Sequence, residues 1–84
     1  MGCEEVWEKL TEIFRNNFED EDLSLSESTT ANDIEGWDSL EQINLIVAIQ
    51  HEFSIKINIK ESVYLKNVGQ MVDLILKKIN ERKE

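Results

Sequence analysis

Ser39, in the run Gly36-Trp37-Asp38-Ser39-Leu40, is the side chain best placed for chemistry in this 84-residue chain. It stands where a stretch of turn formers gives way to a long run of apolar residues at helical spacing. A serine at a helix start with no base beside it is a poor nucleophile, so it reads as an attachment point rather than a catalyst. Catalytic readings lack parts. His51 is the sole histidine and lies 12 positions beyond Ser39 on the same expected helix. That is about 18 Å of rise, which rules out a Ser-His-Asp arrangement. His51-Glu52 is followed by Phe53-Ser54-Ile55, so the helical zinc motif lacks its second histidine. One cysteine and one histidine make no transition-metal set, and no metal site is expected. The carboxylates of Glu4-Glu5 and of Glu19 and Glu21 lie in open runs, with no cleft to suit them for acid–base work. No glycine-rich phosphate loop and no basic stripe occurs.

On spacing alone, Asp38-Ser39 also reads as an ordinary helix cap. Ser39 would accept from the N–H of residue 41 or 42, with Asp38 favourably placed at the positive helix end. Trp37 would then fill the contact between the preceding segment and the body of the protein.

The elements that must position these residues are helical. The chain has no proline and three glycines, and its apolar residues recur mostly at helical spacing, which predicts a small all-α bundle. A first helix is expected over about 4–16, with Val6, Trp7, Leu10, Ile13 and Phe14 on one face and Asn17 as its stop. From Phe18 to Asp38, serines, threonines and Gly36 mark a long crossover, punctuated by Phe18, Leu23, Leu25, Ile34 and Trp37, which would pin it to the bundle. The second helix is expected over about 40–52. Its apolar residues, Leu40, Ile43, Ile46, Val47, Ala48, Ile49 and then Phe53, cover too wide an arc for one neighbour. Some of them must meet a second helix or stay at the surface. Phe53, Ile55, Ile57 and Ile59 alternate like a strand without a convincing partner strand, so they read as an extended loop whose isoleucines seal the base. A short third helix is expected over about 60–64. The last, over about 68–80, is capped by Asn67 with Gln70 at capping-box spacing and buries Met71, Leu74, Ile75 and Ile79.

Size and charge bound the function. The chain is long enough for one domain, here residues 1–84. A net charge of −9 argues against nucleic acid and anionic membranes and for basic protein surfaces. The longest apolar run, Leu45 to Ile49, is far too short to span a bilayer, so no membrane insertion is expected. Met1-Gly2-Cys3 lacks the Ser or Thr that a myristoylation signal wants, since Val6 occupies that position. The acidic start shows no signal-peptide core, and a single cysteine fits a reducing compartment. A cytoplasmic monomer is expected.

Gly36-Trp37-Asp38-Ser39-Leu40, followed by Ile43, Leu45, Val47 and Ile49 and closed by Glu52-Phe53, resembles the attachment region of acyl and peptidyl carrier proteins. The resemblance covers nearly the whole chain, including the crossover and Val68-Gly69-Gln70-Met71-Val72, which is similar to the opening of that family's last helix. It implies a four-helix carrier bundle with a short third helix, no catalytic activity, and a 4'-phosphopantetheine arm on Ser39 that holds acyl or aminoacyl groups as thioesters. Asp38 would help bind the magnesium used by the phosphopantetheinyl transferase. Leu40, Ile43 and Val47, with the acid Glu41 among them, would meet that transferase, the ligase or synthase that loads the arm, and downstream acyl-transferring enzymes. The alternative is that all three apolar residues are core. Asn44, Gln50 and His51 stand where fatty-acid carriers often have acids, and Lys56 and Lys60 add positive charge. With Trp37 before the Asp-Ser-Leu, this implies a specialised pathway, making a polyketide or peptide-like product, ahead of housekeeping fatty-acid synthesis. The rival of a different class is an unmodified helical interaction module.

Overall fold

The computed structural model describes residues 2–82. They form an all-α four-helix bundle of α1 (Cys3–Phe18), α2 (Ser39–Phe53), a short α3 (Ile59–Ser62) and α4 (Val68–Arg82), with a long crossover between α1 and α2.

In α1, Val6, Leu10 and Phe14 recur every fourth residue and are fully buried, while Trp7 and Ile13 flank them half-buried. The helix runs past the expected end near Asn16 and closes at Glu19, whose left-handed backbone (φ 53°) returns its N–H to the Arg15 carbonyl. Tertiary contacts account for the extra half-turn. Asn17 donates from Nδ2 to Glu41 Oε1 at 2.8 Å instead of stopping the helix. The Phe18 ring lies 6.0 Å from Phe14 and 6.4 Å from Trp37, centroid to centroid.

The crossover is tied down along its length. Leu23 and Ile34 are buried, and Arg15 Nε donates to the Leu23 carbonyl at 2.7 Å. A single 3-10 turn at Ala31–Asp33, not foreseen from the sequence, is held by a Thr30–Asp33 capping box. The crossover then docks on the start of α4, where Val68 N–H meets the Thr29 carbonyl at 2.9 Å and Gly69 N–H meets that of Glu27 at 3.0 Å. A Cβ on residue 69 would stand 3.0 Å from that Glu27 oxygen, so glycine permits the close approach.

In α2 the buried residues are Leu45, Ile46, Ile49 and Phe53. The helix starts one residue before the expected boundary and ends one after it, at Phe53, with Ser54 as its C-cap in the left-handed conformation (φ 54°). The extended loop buries Ile55 and Ile57, and Gln50 Oε1 accepts the Ile57 N–H at 2.8 Å. Ile59 is exposed rather than sealing the base, because it opens the four-residue α3, where Ser62 is the buried residue. That helix covers 59–62 instead of about 60–64. Its Asn58–Glu61 capping box sets the start, and Val63 and Tyr64 lie exposed beyond its end.

Asn67 Oδ1 caps α4 by accepting the Gln70 N–H at 2.8 Å. Gln70 Oε1 reaches one residue further back than the expected box, to the Lys66 N–H at 2.8 Å. Val68 and Val72 join Met71, Ile75 and Ile79 in the buried stripe, whereas Leu74 is half-buried. The helix continues to Arg82, beyond the expected 80. Ile46, Ile49, Ile75 and Ile79 all belong to the same central cluster as the α1 residues.

Candidate functional site

The approach to Ser39 is a built turn. Gly36 takes a positive φ of 89°, a conformation that side-chain-bearing residues resist. Trp37 packs edge-on against Phe14 with centroids 5.1 Å apart and planes at 78°. Its Nε1 donates to Gln42 Oε1 at 2.7 Å, and Gln42 Nε2 donates onward to the Ser62 carbonyl at 3.4 Å. The segment before Ser39 is thereby tied to α1, α2 and α3 at once.

Asp38 is the N-cap of α2. Its backbone is extended, its Oδ1 accepts the Glu41 N–H at 2.9 Å, and its carbonyl accepts the Gln42 N–H at 2.9 Å. This corrects the reading of Ser39 as the capping residue. Ser39 is the first residue inside the helix, exposed, with capping done by its neighbour. The physical reason is the path of the chain, since anchoring Trp37 on Phe14 brings residue 38 to the half-in position.

Of the other expected contact residues, Leu40 is 65% exposed, Ile43 43% and Val47 58%. Those values overturn the alternative in which all three are core. Glu41 lies beside them, its Oε1 accepting from Asn17 at 2.8 Å and from Asn44 at 3.5 Å. The structure adds residues that sequence reasoning missed. Gln42 joins Trp37 to α3, and Ile59, Val63 and Tyr64 are further exposed apolar residues, on α3 and the turn after it. A tryptophan paired with a glutamine five positions on has no sequence signature, so only the three-dimensional path reveals that bond.

The surroundings fit a covalently held phosphate ester. Ser39 offers an accessible hydroxyl, and the amides of Ser39 and Leu40 have no intrahelical carbonyl to satisfy them, while that of Glu41 is taken by Asp38 Oδ1. They present N–H groups and the positive end of the helix dipole to an anion, against the opposing charge of nearby Asp38 and Glu41. Among the described residues, no group of three or more His, Cys, Asp or Glu is arranged to hold a metal ion. Nor is any helix long and apolar enough to cross a membrane.

Residues 8–75 match the family described as "Phosphopantetheine attachment site". The acyl carrier proteins of Lactobacillus acidophilus and Petrotoga mobilis are each 32% identical, covering 89% and 95% of this chain and 94% of each relative. The solution NMR structure of holo acyl carrier protein from Geobacter metallireducens matches with a TM-score of 0.85 at 43% identity, over 92% of this chain and 88% of that one. Sequence, fold and the exposed start of α2 agree. The chain belongs to the acyl carrier protein family, carriers and not catalysts, whose cofactor is a covalently attached 4'-phosphopantetheine.

Proposed function

We propose that residues 1–84 work as one carrier domain, with the arm attached at Ser39, and that the cargo is an acyl or aminoacyl group of a specialised biosynthetic pathway. The observation that carries the attachment residue is the freedom of its hydroxyl. Ser39 is exposed in the first turn of α2 while Asp38 Oδ1 does the capping. The arm, once attached, supplies a thiol for thioester bonds. Asp38 contributes its other carboxylate oxygen to the magnesium used by the transferase that installs the arm. Leu40, Glu41, Ile43 and Val47 form the surface on which that transferase, the loading ligase or synthase and later acyl-transferring enzymes settle. Such a surface suits partners that bind weakly and leave. The protein acts as a cytoplasmic monomer.

The specialised assignment rests on Asn44, Gln50 and His51 along α2 and on exposed Lys56 and Lys60, which lower the local acidity that a basic enzyme groove needs. The end-to-end similarity to acyl carrier proteins supports a second reading, housekeeping fatty-acid synthesis. Malonyl loading and chain extension by fatty-acid enzymes at the rate of a control carrier would favour that second reading.

The attachment test is the intact mass after incubation with coenzyme A, magnesium and a broad-specificity phosphopantetheinyl transferase. Wild type should gain one phosphopantetheine and Ser39→Ala none. No gain in wild type, with the transferase active on a control carrier, would leave a helical interaction module in front.

A further inference from the structure

The acidity of the chain is unevenly distributed around the exposed apolar face. Between Ser54 and Asn67 there are three lysines, Lys56, Lys60 and Lys66, against one glutamate, in a chain of net charge −9. All three lysines are exposed. The one acid, Glu61, is turned away from the face. Its Oε1 accepts the Asn58 N–H at 3.0 Å and its Oε2 pairs with Lys78 of α4 at 3.0 Å. The exposed charge carried by α3 itself is therefore that of Lys60, with Lys56 and Lys66 on the segments before and after it.

The flank toward α1 is acidic or neutralised. At 3.6 residues per turn, Leu40, Val47 and His51 form the outward line of α2. Gln42 and Gln50 mark its α3 side by their bonds to Ser62 and Ile57, and Ile43 lies between that side and the outward line. Glu41 and Glu52 mark its α1 side by their bonds to Asn17 and Lys9. Asp38 and Glu41 thus border one edge near Ser39, and Lys60 borders the other beside Ile59 and Val63.

We infer that this face docks an enzyme surface of split charge, an apolar contact edged by basic side chains toward Asp38 and Glu41 and by carboxylates toward the α3 lysines. The inference rests on the carrier reading above and adds the chemistry of the partner. A uniformly basic groove would set cations against Lys60, and like charges juxtaposed in an interface are what exclude wrong partners. A second copy of this chain is the less favoured occupant, because each copy carries −9 and pairing would cover the exposed Ser39.

The test uses holo-protein made with the transferase and two helical peptides sharing one apolar face. One peptide has arginines on one flank and glutamates on the other, and its counterpart has arginines on both. Binding is measured at 0.15 M salt and located by backbone amide shifts, for wild type and for the K56E/K60E/K66E variant checked by circular dichroism. The split peptide should bind wild type about tenfold tighter than the basic one, at α2 and α3, since up to three exposed ion pairs change sign. The order should reverse in the triple variant. Equal affinities, a preference of wild type for the basic peptide, or shifts confined to other helices would overturn the inference while leaving the carrier reading intact. So would a stable dimer of the holo-protein through this face in sedimentation. Absence of the phosphopantetheine mass in wild type would overturn the carrier reading, and this inference with it.

Discussion

At Ser39, position and duty are separable. Because capping falls to Asp38, Ser39→Ala should abolish arm attachment in the mass assay yet keep stability within about 0.5 kcal/mol of wild type in urea unfolding. A larger loss would mean that the hydroxyl has a structural partner. Asp38 itself combines a cap and a charge, and two substitutions divide them. Asp38→Asn keeps a side-chain oxygen for the Glu41 N–H and should fold like wild type while slowing magnesium-dependent modification. Asp38→Ala should slow it too and also lose about 1 kcal/mol, or about 4–8 °C in melting temperature. If Asp38→Asn were modified at the wild-type rate, the carboxylate would have no part in installing the arm.

Helices and connections add a constraint that no single residue carries. Trp37 links three elements through one ring and one N–H, so Trp37→Phe keeps the contact with Phe14 but leaves Gln42 Oε1 without its donor. The expected cost is about 1 kcal/mol, accompanied by faster amide exchange at the start of α2 and in α3. Exchange rates unchanged in α3 would show that Gln42 does not connect the two.

Glu61 ties the start of α3 to Lys78 of α4. The Asn58 N–H, and after it the Lys78 ammonium, hold its carboxyl below its ordinary pKa of 4.5. A pKa lowered on folding stabilises the native state above the unfolded value, and that contribution is lost as pH falls through the folded value. The docking of α3 should therefore be pH-independent from neutrality to about pH 5 and loosen progressively below about 4.5, read from α3 amide exchange. Glu61→Gln should remove that part of the pH dependence.

Across the whole molecule, apolar residues of similar size divide sharply by burial. Ile49 is fully buried in the cluster joining α1, α2 and α4, and Val47, two residues earlier, is 58% exposed. Ile49→Ala should cost about 2–5 kcal/mol, a large share of the 5–15 kcal/mol by which a domain of this kind is stable. Val47→Ala should change stability by less than about 0.5 kcal/mol and show its effect in transfer kinetics with partner enzymes instead. Comparable melting temperatures for the two variants would contradict this division of the helix.

Much of this was legible in the chain because it depends on neighbours in sequence. Apolar residues at helical spacing mark the three long helices, turn formers mark the crossover, and a serine after Trp37-Asp38 marks the start of α2. Local patterning orients a helix relative to its own axis, and says nothing of how much of its circumference other elements will cover. Only packing decided that Leu45, Ile46, Ile49 and Phe53 are enclosed while Leu40, Ile43 and Val47 are left outside. Only packing moved the cap from Ser39 to Asp38, since the helix begins where Trp37, held by Phe14 and Gln42, lets the chain turn. The sign of the α3 flank is of the same kind. The composition supplies the charges, but turning Glu61 onto Lys78 and leaving Lys60 beside the apolar face depends on contacts between residues distant in sequence.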